Sequence, residues 1–136
     1  WISKWTKMTC LPIGLSNLPN LKTLKIGPLS PHVSIFPFPD LDDHSPLSAS
    51  LRELEMNAFG MDEVETLPDQ IQHLRQLRSL KILHFSNLKE LPEWLGRLTS
   101  LETLEFMDLP LVKHLPSQDA MKSLSRLTTL CVLGCP

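Results

Sequence analysis

Apolar residues recur along the chain in a short alternating pattern. Five segments carry leucine at their first and fourth positions and another apolar residue at their sixth, and they begin at residues 21, 51, 77, 101 and 127. The fourth and sixth positions alternate with mostly polar residues, which predicts a short β-strand with one buried face. The sixth positions are spaced by 24, 30, 26, 24 and 26 residues and comprise Ile2, Ile26, Met56, Ile82, Phe106 and Val132. Ile2 therefore extends the series to a sixth occurrence.

A second signature follows each of the first five predicted strands and ends in an apolar residue and proline. It recurs as Met8-Thr-Cys-Leu11-Pro12, Val33-Ser-Ile-Phe36-Pro37, Val64-Glu-Thr-Leu67-Pro68, Leu88-Lys-Glu-Leu91-Pro92 and Val112-Lys-His-Leu115-Pro116. Proline ends the extended run and turns the chain. Apolar residues then recur every third position, as at Ile71, Leu74 and Leu77, which suits a short helical or 3₁₀ segment. A heptad helical bundle is disfavoured, because proline interrupts helices and the chain has 12 prolines.

The two signatures predict an α/β solenoid of the leucine-rich-repeat type. One such repeat cannot bury its own apolar edge, whereas stacked repeats bury a continuous core. We therefore expect a horseshoe over residues 1–136 with five to six repeats. Its parallel sheet would line the concave side, and short helical, 3₁₀ and loop segments would form the convex side. Neither end carries an atypical capping repeat, so we expect an uncapped piece of a longer array.

The 30-residue spacing indicates an insertion within residues 27–50. This segment contains five prolines and the acidic run Asp40-Leu-Asp42-Asp43-His44. Proline-rich acidic composition is typical of a loop on the convex side or the edge of such a fold. The segment is either a solvated bulge or a loop that contacts a partner, and the former interpretation is favoured.

Composition and motifs argue against several functional classes. The net charge of −2 favours neither nucleic acid nor an anionic membrane as a partner. The sequence contains no transmembrane stretch and no signal peptide. It also contains no phosphate-binding loop and no zinc-ligand spacing, so we expect no catalytic residue, no metal and no cofactor. The odd number of cysteines, 3, and the lack of Asn-x-Ser/Thr acceptors favour a reducing, intracellular location. By register, Cys135 points inward as a structural thiol and Cys131 faces the concave side.

Candidate binding residues lie between the inward positions of each strand, where side chains point to the concave face. One column reads Lys25, Glu55, Lys81, Glu105 and Cys131. Its charges alternate from strand to strand, and strands lie about 4.8 Å apart. A ladder of exposed ion pairs is the favoured interpretation of this column.

The next outward column carries Leu83, Met107 and Leu133 on three successive strands. Contiguous exposed apolar surface marks contact sites more often than scattered residues do. These three residues, with His84 beside Leu83, are therefore predicted to form a protein-binding patch. The alternative is that neighbouring side chains or another domain cover them.

Three passages carry a resemblance to a known family. They are Leu67-Pro68-Asp-Gln-Ile71, Leu80-Lys-Ile82-Leu-His-Phe85-Ser-Asn-Leu88-Lys-Glu-Leu91-Pro92-Glu-Trp94-Leu95-Gly96, and Leu133-Gly134-Cys135-Pro136. The chain resembles the leucine-rich-repeat region of plant intracellular nucleotide-binding immune receptors (NLR disease resistance proteins). That resemblance implies a cytoplasmic or nuclear sensor that recognises pathogen effectors and restrains the nucleotide switch of the same receptor. Its partners would be proteins, either an effector or other domains of the receptor.

Two other functions remain open on sequence grounds. The chain could be the substrate-binding module of a ubiquitin-ligase adaptor or scaffold, or part of an extracellular receptor ectodomain. The lack of glycosylation acceptors weakens the last alternative. The sequence upstream of Trp1 would separate the three, because a phosphate-binding loop, an adaptor-binding helix pair and a signal peptide are each specific to one of them.

Overall fold

The computed structural model describes residues 9–136 and contains five parallel β-strands in one sheet. The strands follow chain order, so each pairs with its neighbours in sequence. They are β1 (Thr23–Ile26), β2 (Glu53–Asn57), β3 (Ser79–Leu83), β4 (Thr103–Met107) and β5 (Thr129–Leu133). The predicted parallel sheet is therefore confirmed. The strand expected around Ile2 lies outside the described residues.

The strand register places equivalent positions of the repeat opposite one another. Ile26 pairs with Met56, and the pairing continues through β3 and β4 to Val132. Four of these side chains are at most 1% exposed and form the predicted buried column: Ile26, Met56, Ile82 and Phe106. Val132 is 44% exposed, so the prediction of burial was wrong for this residue. Among the described residues β5 and β1 each have a strand neighbour on one side only, yet Ile26 on β1 is 1% exposed, so the edge position alone does not account for the exposure of Val132.

A second inward column is formed by the fourth position of each leucine segment. Its members are at most 5% exposed in the first four strands: Leu24, Leu54, Leu80 and Leu104. The chain enters each strand through further hydrogen bonds between neighbours. The Arg78 amide donates to the Arg52 carbonyl and the Glu102 amide donates to the Arg78 carbonyl, each over 2.8 Å. These bonds hold the register before the strands begin.

A short helical segment precedes each of the five strands. Three are 3₁₀ turns, at Leu15–Asn17, Asp69–His73 and Glu93–Arg97, and two are α-helices, α1 (Pro46–Ser50) and α2 (Gln118–Ser123). Proline precedes the second and third turns, where its fixed φ starts the segment and no internal hydrogen bond is lost. The apolar residues at three-residue spacing face the core, since Ile71, Leu74 and Leu77 are fully buried.

The proline-rich insertion contributes more to the core than its composition predicted. Leu29, Val33, Phe36 and Leu47 are at most 8% exposed. The Phe36 ring packs against that of Phe85 with centroids 5.3 Å apart. The segment, which lies between β1 and β2 in the sequence, is therefore not a simple solvated bulge, because its apolar residues belong to the core.

The acidic part of the insertion is exposed but bonded to the segment between β2 and β3. Asp43 bonds to the His73 ring at 2.9 Å and forms an ion pair with Arg75. The His73 hydrogen bond and then the Arg75 guanidinium hold the pKa of Asp43 below its ordinary value. Asp42 accepts the His44 amide and caps a local turn, which likewise lowers the pKa of its carboxyl. These contacts give the acidic run an order that the sequence pattern did not predict.

Helix length bears on membrane insertion. Across residues 9–136, none of the helices is both long and apolar enough to cross a bilayer.

Candidate functional site

The sheet has one face packed on the core and one open face, which we call the open sheet face. Along each strand the burial alternates, for example over Ser79–Leu83, where the second and fourth residues are buried and the others are partly exposed. Side chains of successive strand residues point to opposite faces, so the partly exposed positions form rows across the sheet. The strand register aligns two such rows, which are described in turn.

The first row, here the charged row, contains Lys25, Glu55, Lys81, Glu105 and Cys131. The register pairs these residues in that order across β1 to β5. The Lys25 ammonium lies 3.7 Å from Glu55, and the Lys81 ammonium lies 3.4 Å from Glu105. The predicted alternation of charge is thus realised as two ion pairs between neighbouring strands. Their side chains are 22–40% exposed, so each pair contributes little to stability.

The second row, here the apolar row, contains Leu83, Met107 and Leu133. The register pairs Leu83 with Met107 and Met107 with Leu133. Leu133 is 52% exposed, whereas Leu83 and Met107 are half-buried. Strand spacing of about 4.8 Å makes these three side chains neighbours on one apolar strip. The predicted contiguity is therefore present, although the inner two residues are less exposed than expected.

The apolar row changes character toward β1. Asn57 on β2 occupies the position that pairs with Leu83. Before it in the chain, Gly27 follows β1 with φ of 97° and is buried. A Cβ at Gly27 would collide with the carbonyl oxygen of Asn57, so only glycine permits this close approach of the two backbones. The apolar strip is confined to β3, β4 and β5.

The backbone holds the apolar row at the carboxyl ends of its strands. The Ala58, His84 and Asp108 amides donate to the carbonyls of Leu83, Met107 and Leu133 over 2.8–3.0 Å. These bonds continue the sheet ladder by one residue past each strand. The main chain beneath the row is therefore fixed, which limits the entropy that ordering it on binding would cost.

His84, the predicted neighbour of the apolar row, sits in a polar and aromatic contact. Its Nδ1 lies 3.0 Å from an Asp108 carboxylate oxygen. Both residues have positive φ, 60° and 55°, as the chain turns sharply out of β3 and β4. Phe59, which is 67% exposed, packs edge-on against the His84 ring at 5.5 Å between centroids. Phe59 adds exposed aromatic surface beside His84, outside the apolar strip, and was missed because the residues after the strand follow no regular alternation.

The amino-terminal half of the open sheet face is polar, and the sequence interpretation did not include it among the candidate residues. Arg52 and Arg78 stand at the second position of successive leucine segments, and hydrogen bonds align their backbones. Together with Glu53, Glu102 and two members of the charged row, Lys81 and Glu105, they border a shallow depression of about 500 Å³. The signal was available in the sequence as a column, because equal repeat positions must align.

The arrangement offers binding chemistry. The described residues contain no group of three metal-ligating side chains. Cys10, Cys131 and Cys135 are free thiols, and Cys135 is partly buried against the core, in agreement with its predicted inward direction. A polar depression and an apolar strip on one rigid sheet are features of surfaces that contact another protein.

Comparison with known proteins adds no assignment. No protein-family model and no curated protein matches the chain.

Proposed function

We propose that the chain is a leucine-rich-repeat solenoid whose open sheet face is concave and binds another protein. We assign it to the sensor region of an intracellular plant immune receptor of the NLR type, located in the cytoplasm or nucleus. In that role the surface would recognise a pathogen effector or contact other domains of the same receptor, and thereby restrain its nucleotide switch. It would act without a catalytic residue or a bound cofactor.

The observation that carries the binding proposal is the apolar row. Leu83, Met107 and Leu133 occupy one register position on three adjacent strands of an otherwise polar face. The inward columns already fill the core, so packing of the core does not require apolar residues there. Exposed apolar surface next to aligned polar groups is the common composition of a protein contact site.

The immune assignment rests on the resemblance and on the regular register. The Leu-Pro signatures and the leucine segments occur at equivalent positions of successive units, as expected if each unit is one repeat. Aligned strands supported by short helical segments suit a stacked array, in which each unit contacts chiefly its neighbours.

The test replaces Leu83 and Met107 with glutamate in the intact receptor that contains this chain. Both side chains are only half-buried, so the double variant is expected to fold. It should lose about 1–2 kcal/mol of binding free energy toward the partner or toward the remaining receptor domains, as for a moderate interface anchor. Association is measured in trans between the chain and the rest of the receptor, and signalling is measured in leaf tissue.

The matched control is Leu111→Glu with Leu115→Glu. These leucines are 40% and 43% exposed and lie outside the strands, and their replacement by glutamate introduces the same charge. The control should leave association and signalling unchanged. Unfolding of the Leu83/Met107 variant in a melting curve would show that these residues belong to the core. A folded variant with unchanged association and signalling would refute the proposed surface.

A further inference from the structure

A second surface, formed by segments outside the strands, has the geometry of a binding groove. An open groove of about 1300 Å³ is bordered by the apolar-Pro signatures of four successive units. Those signatures are Leu11-Pro12, Phe36-Pro37, Leu67-Pro68 and Leu91-Pro92. We call it the turn groove. Its lining residues all lie outside the described strands, so it is separate from the open sheet face.

The floor and walls of the turn groove are apolar. The floor includes Leu67, Leu88 and Leu91, which are at most 8% exposed and belong to the core. The walls include Ile13 and Ile35, which are 105% and 74% exposed. Large apolar side chains exposed to this degree do not support the core, since they bury little of their surface. Their place beside a concavity is typical of a site that holds an apolar side chain of a ligand.

The rim of the turn groove is acidic. Its lining includes five carboxylates and one cationic side chain: Asp40, Glu65, Asp69, Glu90, Glu93 and Lys89. Together these six described residues carry a net charge of −4, twice the −2 of the entire chain. All six side chains are exposed. Glu93 is bonded through its carboxylate to the Ser117 amide and hydroxyl over 2.8 and 2.6 Å, which leaves four carboxylates facing solvent.

The charge and its distribution select the class of ligand. An acidic rim repels nucleic acid and anionic lipid surfaces, because both present phosphates. A single metal ion is disfavoured, since the described residues contain no cluster of three ligating side chains. The carboxylates belong to successive units, so a ligand that meets several of them must be extended. An extended polypeptide with several arginine or lysine residues meets that requirement.

The length of the ligand follows from the spacing of the units. Four units about 4.8 Å apart span at least about 15 Å, which about five residues of extended peptide cover. The apolar floor requires one large apolar side chain between the basic residues. We propose that the turn groove binds an extended basic segment of another protein that carries a central apolar anchor. This second site does not depend on the open sheet face.

The test uses the full 136-residue chain and a synthetic peptide. The peptide is about eight residues long, with arginines on both sides of a central tryptophan and serine spacers. A second peptide has glutamate in place of every arginine. Titration calorimetry should detect the basic peptide only, and raising the salt concentration should weaken its binding because exposed charges are screened. Equal binding of both peptides, or binding of neither, would overturn the proposal.

Two variants locate the bound peptide. Glu65→Arg with Glu90→Arg reverses two rim charges, and the dissociation constant should rise by about tenfold or more, since like charges then face the peptide. Glu63→Arg with Asp119→Arg makes the same charge change at exposed residues outside the groove, and binding should change by less than about twofold. Equal weakening by the two variants would show only a general effect of net charge, which contradicts a local site.

A third variant tests the apolar contact. Ile13→Ser with Ile35→Ser removes two exposed apolar side chains and should weaken binding of the basic peptide by severalfold without altering the melting curve. If instead the chain self-associates in sedimentation and this variant abolishes it, the groove is an interface between copies and the proposal is wrong. The Leu83/Met107 glutamate variant should bind the peptide normally, so failure at one surface is distinguishable from failure at the other.

Discussion

The interior strands and the last strand carry the same sequence pattern in different surroundings. Leu104 and Phe106 on β4 are at most 1% exposed. Leu130 and Val132 occupy the same positions on β5 and are 42% and 44% exposed. The local sequence and the strand geometry are alike, but β4 has strand neighbours on both sides and β5 has one. Among the described residues β1 also has one, yet Leu24 and Ile26 are at most 5% exposed, because apolar residues of the connecting segment after β1 belong to the same core.

This difference indicates that inward side chains are covered both by neighbouring strands and by the connecting segments of the core. In the solenoid proposed above, stability would be the sum of contributions from each repeat and each interface between repeats. Substitutions at equivalent positions should therefore have effects that depend on position in the stack.

The largest expected effect is the contrast between Leu80→Ala and Leu130→Ala. Leu80 is fully buried between β2 and β4, so its truncation should cost about 2–5 kcal/mol by leaving a cavity. Leu130 is 42% exposed, and its truncation should cost about 1 kcal/mol because less apolar surface is lost. Urea denaturation measures both values. Equal losses would show that exposure of the side chain at β5 does not reduce its contribution to stability.

A smaller contrast is expected among three glycines with positive φ. Gly60→Ala places a Cβ in open space at φ of 76°, so it should show strain alone, about 1 kcal/mol. Gly27→Ala adds a collision with the Asn57 backbone and should cost at least about 1 kcal/mol more than Gly60→Ala. Gly134→Ala, beside β5, meets the side chain of Asp108, which can move, so its cost should lie between the two. Thermal melting of the three variants gives this order, and an equal loss at Gly27 and Gly60 would show that the backbones separate readily.

The smallest expected effect concerns the contacts of Asp43 with His73 and Arg75, which lie outside the sheet. The folded-state pKa of Asp43 lies below the ordinary value of 3.8, so its ionised carboxylate stabilises the fold above that pH. The contribution is lost as the pH falls through the folded-state pKa. Asp43→Asn should lower the melting temperature slightly at neutral pH and reduce its fall on acidification. Asp40→Asn, which neutralises an exposed carboxylate of the same segment, is the control and should preserve the wild-type profile.

The sheet was predictable from sequence because its pattern is periodic. Alternation identified the strands, and equal repeat positions identified Lys25, Glu55, Lys81 and Glu105 as one row before any contact was known. The positions of residues outside the periodic pattern could not be predicted in this way. Phe59 lies just past β2, and its packing against His84 depends on how two successive units turn out of the sheet.

The insertion shows the same limit in another form. Its prolines and acids predicted an exposed loop, yet Phe36 and Leu47 are buried in the core. Composition reports the average preference of a segment, whereas burial depends on the cavity that the flanking units leave open. The turn groove was likewise invisible in sequence, because it exists only where segments from four units converge.

The order of the strands, their inward leucines and the two outward rows were determined by the sequence alone, since a period of two assigns every strand residue to one face. Only the tertiary structure decided how deeply each residue is covered. It left Leu133 more exposed than Leu83 and Met107 in the same row and brought the carboxylates of the turn groove together. The physical reason is that a repeat pattern specifies direction, whereas burial and charge density arise from the neighbours that the fold supplies.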